Sequence, residues 1–140
     1  MAMPDKRIRV VICNKYTLFR EGIKSLLENA APIEIVGEAN TAAEAIEQSA
    51  RLKPDVVLLD MVTPDLPGSE ATRSIKAINP DVKVLILSMH EDETLVSRCM
   101  EAGASGYVRK YEHGPQLQNA IDAVCRKATE LLKESGKEAA

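Results

Sequence analysis

Residues 54–68 read PDVVLLDMVTPDLPG. Four consecutive aliphatic side chains, Val56 to Leu59, close on the carboxylate Asp60, and a loop punctuated by Pro64, Pro67 and Gly68 follows. An apolar run that short, without polar alternation, suits a strand buried on both faces. Its flanking Pro and Gly mark where it stops. A strand of this kind belongs inside a parallel sheet, so the rest of the chain should supply similar strands separated by helices.

It does so. IRVVIC (8–13) and VKVLILS (82–88) are further near-continuous apolar runs. IEIVGEA (33–39) alternates more and is interrupted at Gly37, which predicts an edge strand. GYVRK (106–110) is a short fifth strand ending in a cation. Between them lie amphipathic patterns. Phe19, Ile23, Leu26 and Leu27 mark a first helix face. Thr41 with Glu44 makes a capping box for a second, lined by Ala42, Ala45, Ile46, Ser49 and Ala50. Ala71, Ile75 and Ile78 face inward from a third, and Leu95, Val96, Cys99 and Met100 from a fourth that AGASG terminates. Pro115 suits the first turn of a fifth helix, striped by Leu117, Ala120, Ile121, Val124, Cys125, Ala128, Leu131 and Leu132.

Strict alternation of strand and helix predicts an α/β fold with helices on both faces of a parallel sheet. Right-handed crossovers leave few topologies. Placing the alternating second strand at an edge selects a flavodoxin-like (βα)5 doubly wound sheet of order 2-1-3-4-5. The predicted domain spans 7–132, with flexible termini at 1–6 and 133–140.

Bulk properties exclude several classes of function. The chain of 140 residues is 45 % hydrophobic and 28 % charged with net charge −3, an ordinary globular balance without general attraction to nucleic acid or anionic membrane. One Phe, three Tyr and no Trp give little material for base stacking. No apolar run is long enough for a membrane span, and MAMPDKRIRV has no signal-peptide core, so a cytoplasmic protein is expected. Cys13, Cys99 and Cys125 lack metal-ligand spacing and read as reduced thiols, and His90 and His113 as solvated loop residues.

In an open α/β sheet, sites form outside the carboxyl ends of the strands. Those ends carry Asn14 and Lys15 after the first strand, Asp60 at the third, Ser88 at the fourth and Lys110 at the fifth. A strand-end carboxylate can attack a phosphoryl donor, a hydroxyl can donate to a phosphoryl oxygen, and an ammonium can neutralise it.

These residues also resemble a response-regulator receiver domain of two-component signalling, over roughly residues 7 to 130. LFREGIKSLLE, VGEANTAAEAIE, PDVVLLDMVTPDLPGSEATRSIK, VLILSMHEDE and AGASGYVRK are most similar to receivers that precede a LuxR-type helix-turn-helix output domain. The resemblance implies Asp60 as phosphoacceptor, Ser88 as switch hydroxyl, Lys110 as the family's lysine and Tyr107 as the aromatic switch. It implies a sensor histidine kinase or other signalling protein as partner. It also implies a readout face, and a possible homodimer contact, on the fourth helix, fifth strand and fifth helix. No enzymatic turnover is expected beyond self-phosphorylation.

The departure lies in the first turn. The family places two adjacent acids there to hold Mg2+ beside the phosphoacceptor, and this chain has Asn14 and Lys15. LFREG restores the register, so no shift recovers the acids, and neither Asp5 nor Asp65 is a convincing substitute. The local formal charge rises by three units. Unit charges ~4 Å apart interact by about 4 kcal/mol at an effective dielectric of 20, and a divalent ion beside Lys15 would feel up to about twice that. The expectation is a phosphorelay-type pseudo-receiver that works through protein contacts, with weak or absent phosphorylation and no cofactor. Lys15 would pair with Asp60 as a tethered cation.

Two alternatives stay open. One is a conventionally phosphorylated receiver from a DNA-binding transcriptional regulator, with a weak metal held by Asn14, Asp60 and the Val62 carbonyl and with Lys15 turned outward. The other is a phosphohydrolase of the haloacid-dehalogenase type. That chemistry wants a second Asp two residues after the nucleophile, where Val62 stands. Nothing predicts nucleic-acid binding by these residues themselves, since no helix-turn-helix pattern follows the fifth helix.

Overall fold

The computed structural model describes residues 7–28, 32–88, 93–109 and 116–126. Lys110, His90, His113, Pro115 and the helix stripe beyond 126 lie outside the described residues. In chain order the elements are β1 (Ile8–Cys13), α1 (Thr17–Leu27), β2 (Ile33–Ala39), α2 (Ala42–Leu52) and β3 (Val56–Asp60). They continue as α3 (Gly68–Ile78), β4 (Lys83–Ser88), α4 (Glu93–Glu101) and β5 (Gly106–Arg109). A last helix, α5, covers 116–126. All strands are parallel, in the order β2-β1-β3-β4-β5, as the apolar runs predict.

Because side chains alternate across a strand, each buried strand feeds two cores. Val11, Cys13, Val57, Leu59, Val84 and Ile86 face α2, α3 and α4, where Ala42, Ala45, Ala71, Ile75 and Cys99 meet them. Val10, Ile12, Val56, Leu58, Leu85, Leu87 and Val108 face α1 and α5, where Ile23, Leu27, Leu117 and Ile121 meet them. The first face is packed mostly with small helix residues, the second with large aliphatic ones. Continuous apolar strands are what a sheet covered on both sides requires.

Several helix positions differ from expectation. Leu26, Ile78, Leu95, Met100 and Ala50 point outward. Each lies at the margin of its stripe or at an end of its helix, where part of the side chain reaches past the core face to solvent.

The edge strand covers the predicted 33–39 and is irregular beside Gly37. It runs on to Ala39, and the pairing slips so that Val36 is left without a partner on β1. A Cβ at Gly37 would lie 2.3 Å from Gln48 Oε1, the tip of a side chain on α2. The fourth helix does end in AGASG. Gly103 has φ +117°, and Ala104 N–H donates to the Cys99 carbonyl at 3.0 Å. Among the described residues no helix is long and apolar enough to cross a membrane.

Candidate functional site

Asp60 ends β3 at the carboxyl edge of the sheet, and its residue is only 3 % exposed. Asn14 follows β1 directly and is fully buried. Ser88 ends β4, also buried, one residue past Leu87, which is in register with Asp60. Three of the sequence-predicted site residues therefore sit at the same end of three adjacent strands. Tyr107 lies on β5 in register with Ile86 and is half-exposed.

Both oxygens of the Asp60 carboxylate receive N–H donors. Asn14 Nδ2 donates to Oδ2 at 2.8 Å, and the Val62 backbone N–H donates to Oδ1 at 3.1 Å. The Asn14 amide has a determined orientation. Its Oδ1 accepts from Tyr16 N–H at 2.7 Å, so rotating the amide would set the NH2 against another N–H. Asn14 thus presents hydrogen-bond donors to Asp60, not an oxygen.

Lys15 does not pair with Asp60. Its ammonium lies 5.0 Å from the centroid of the Tyr16 ring, on an exposed stretch of the loop. This differs from the expected tethered cation, and the cause is local: Asn14 already occupies the carboxylate, and the aromatic face offers the cation a partner without desolvating it.

Sequence reasoning missed Arg20. Its guanidinium is buried and donates to the Asn14 carbonyl, to Asn40 Oδ1 at 2.6 Å, to Glu38 Oε1 at 3.0 Å and to Thr17 Oγ1 at 3.2 Å. Lys24 also grips Glu38, at 2.9 Å, and Lys24 and then Arg20 hold the Glu38 carboxyl below its ordinary value. A signal was present. Arg20 sits three and seven residues before the buried Ile23 and Leu27, which puts a cation on the apolar stripe of α1.

On the other side of Asp60, the β3–α3 loop is held by its own residues. Asp65 accepts the Ala42 and Ala43 N–H groups, each at 2.9 Å, and those bonds lower its carboxyl pKa. Asp65 therefore caps α2 and is directed away from Asp60's oxygens. Thr41 Oγ1 accepts Glu44 N–H at 3.2 Å, as predicted. Glu44 returns the bond to Asn40 N–H at 2.7 Å, one residue earlier than in a standard capping box. Gly68 N–H donates to the Met61 carbonyl at 3.0 Å and closes the loop.

The cysteines are free thiols. Burial first, and then the negative charge of Asp60, pushes the Cys13 thiol up to about 12, so it stays protonated. Among the described residues no group of three His, Cys, Asp or Glu is arranged to hold a metal ion.

Residues 10–122 match the response regulator receiver domain family. The chain belongs to that family. It is 38 % identical over 122 residues to the transcriptional regulatory protein DegU of Brevibacillus brevis, covering 87 % of this chain and 52 % of DegU. It is 37 % identical over 117 residues to the response regulator UvrY of Escherichia coli, covering 84 % of this chain and 54 % of UvrY. The receiver thus spans about half the length of these curated relatives. A LuxR-family two-component response regulator from Aurantimonas sp. SI85-9A1 superposes with a TM-score of 0.82 at 31 % identity, covering 93 % of this chain and 99 % of that one. The match sets aside the haloacid-dehalogenase reading. This chain is a signalling receiver, not a turnover enzyme.

Proposed function

We propose that this receiver acts in two-component signalling chiefly through protein contacts, with phosphorylation of Asp60 weak or absent. The observation that carries this is the 2.8 Å bond from Asn14 Nδ2 to Asp60 Oδ2, with the amide turned by Tyr16 N–H. Receiver domains typically bind Mg2+ beside the phosphoacceptor. The donor set here does not fit that ion. Mg2+ requires oxygen ligands in octahedral geometry, whereas Asn14 and Val62 each turn an N–H group toward Asp60's oxygens. Lys15 supplies no ligand.

In this reading Asp60 is the phosphoacceptor, Ser88 the switch hydroxyl and Lys110 the cation that would neutralise the phosphoryl group. Tyr107 is the switch aromatic. The partner is a sensor histidine kinase or another signalling protein. Exposed Leu95 and Met100 on α4 and half-exposed Tyr107 on β5 give the readout face apolar contact area, suited to a partner or a second copy. Any DNA-binding output would come from a further domain, as in a transcriptional regulator, and not from these residues.

One observation favours a second reading, conventional phosphorylation of Asp60 with weak metal binding. Lys15 rests on Tyr16 and leaves the space over Asp60 without its charge. The Val62 carbonyl and a re-oriented Asn14 would then be the remaining oxygens.

Intact-mass analysis after incubation with a small-molecule phosphodonor, with and without Mg2+, separates the two. The first reading predicts no adduct in the native protein and a Mg2+-dependent phosphoryl adduct in the Asn14→Asp/Lys15→Asp double variant, lost on Asp60→Ala. A Mg2+-dependent adduct in the native protein supports the second.

A further inference from the structure

Four residues, Asn14 to Thr17, connect β1 to the body of α1 and set where the Asn14 amide points. One buried group touches both ends of that connection. Arg20 donates to the Asn14 carbonyl at its start and to the Thr17 hydroxyl at its end. The same guanidinium donates to Glu38 and Asn40, at the carboxyl end of β2. Because β2 is paired with β1 up to Cys13 and Ala39, that end is a firm anchor. The guanidinium therefore fastens a loop to a strand.

We infer that Arg20 is a positioning residue for Asp60, acting through Asn14. The inference rests on reading Asn14 as the group that holds the Asp60 carboxylate. A buried guanidinium is tolerated only where its donors are largely filled, and here acceptors at four residues take four of its five N–H groups. Its planar fork bonds in several directions at once, which a lysine's point charge on a flexible stem does not reproduce. An aliphatic residue of similar size would fill the volume among Ile23 and Leu27. It would leave the Asn14 carbonyl bare, and among the described residues the loop would be tied to β2 only by Asn14 N–H to Ala39 O, at 3.0 Å. Glu38 balances the charge, and an uncharged acceptor in its place preserves the clamp.

The test is 15N–1H NMR of the protein free of Mg2+ and phosphodonor. The Asn14 side-chain NH2 pair is assigned by its loss in Asn14→Ser. In the native protein the proton bonded to Asp60 is expected to be shifted downfield and slow to exchange. Arg20→Met and Arg20→Lys are each expected to return the pair to the positions and exchange rate of a free amide, while the backbone amides of Leu58 and Ile86 keep their protection. Glu38→Gln is expected to leave the pair in place. The inference is overturned if either Arg20 variant keeps the native Asn14 pair. It is also overturned if both lose it only together with Leu58 and Ile86 protection, which would make Arg20 a general fold residue. A Mg2+-dependent phosphoryl adduct in the native protein would count against the proposed function and leave this metal-free signature unchanged, so the two fail separately.

Discussion

Two loops border Asp60, and they have fared differently. The β3–α3 loop is held by its own residues: Thr63 and Leu66 bond to each other, Asp65 caps α2, and Gly68 lies against Met61. The β1–α1 loop carries Asn14 and Lys15, an amide and a cation. It is nevertheless as fully bonded as its counterpart, through Tyr16 N–H, Arg20 and Asp60 itself. The shape of a receiver pocket and its charge are thus separable. Backbone anchors and one arginine maintain the first, and the two residues after β1 determine the second.

The sharpest way to break this comparison is to return the acids. Asn14→Asp/Lys15→Asp would remove the bond to Asp60 and place a second carboxylate beside it in a buried site. Without metal this should cost about 3 kcal/mol in urea unfolding, the lower end for an uncompensated buried charge. Saturating Mg2+ should restore about 1–3 kcal/mol, as a ligand present at ten to a hundred times its Kd does, while leaving the native protein's midpoint unmoved. Equal Mg2+ responses in the two proteins would mean that the loop's charge does not decide metal binding.

Gly68→Ala tests the retained loop. A Cβ at Gly68 would stand 2.6 Å from the Met61 carbonyl oxygen, which is backbone and cannot swing aside. A loss of about 1–3 kcal/mol is expected from the overpacking. Thr41→Ala removes the hydroxyl that accepts Glu44 N–H and should cost about 1 kcal/mol. Its partial redundancy with Asp65 can be read from the Thr41→Ala/Asp65→Ala cycle. At the low end, Gly37→Ala meets the tip of Gln48, a flexible side chain, and should fall within about 0.5 kcal/mol of native because the lost backbone freedom offsets the crowding.

Acid titration gives an independent comparison. Asp65 and Glu38 have carboxyl pKa values lowered in the folded state, by the Ala42 and Ala43 N–H groups and by Lys24 respectively. A lowered folded pKa stabilises above the unfolded value, about 4 for these residues. That stabilisation is lost as pH falls through the folded values. Urea midpoints should therefore decline below about pH 4, and less steeply in Asp65→Asn, which has no charge to lose.

The parts legible in the sequence are those where a single-residue property decides the outcome. Continuous aliphatic runs fixed β1, β3 and β4 to within a residue, because a doubly covered strand has no face that tolerates polar groups. The alternating β2 went to the edge for the converse reason. The convergence of Asn14, Asp60 and Ser88 followed from strand order alone. What could not be read depends on direction. Tyr16 contributes its backbone N–H, which every residue but proline has, and that bond is what turns the Asn14 amide. Lys15 chose an aromatic face over a carboxylate on the neighbouring strand, a choice set by distances that pattern does not carry. Arg20 was visible as a cation on an apolar stripe, but its acceptors come from β2 and the loop, which only the folded chain assembles.

The order of the strands also bears on synthesis. β1 pairs on one side with β2, which follows it closely, and on the other with β3, where Val10 meets Val56. As the chain leaves the ribosome, an early parallel β-α-β unit of β1, α1 and β2 has one side of β1 open until residue 60 emerges. That open side is an unpaired ladder on a largely apolar strand, the kind of edge other chains add to. One side of β1 is thus unprotected until β3 is made, and a chaperone or a slow pause near α2 would act on this strand before any signalling partner meets the finished domain.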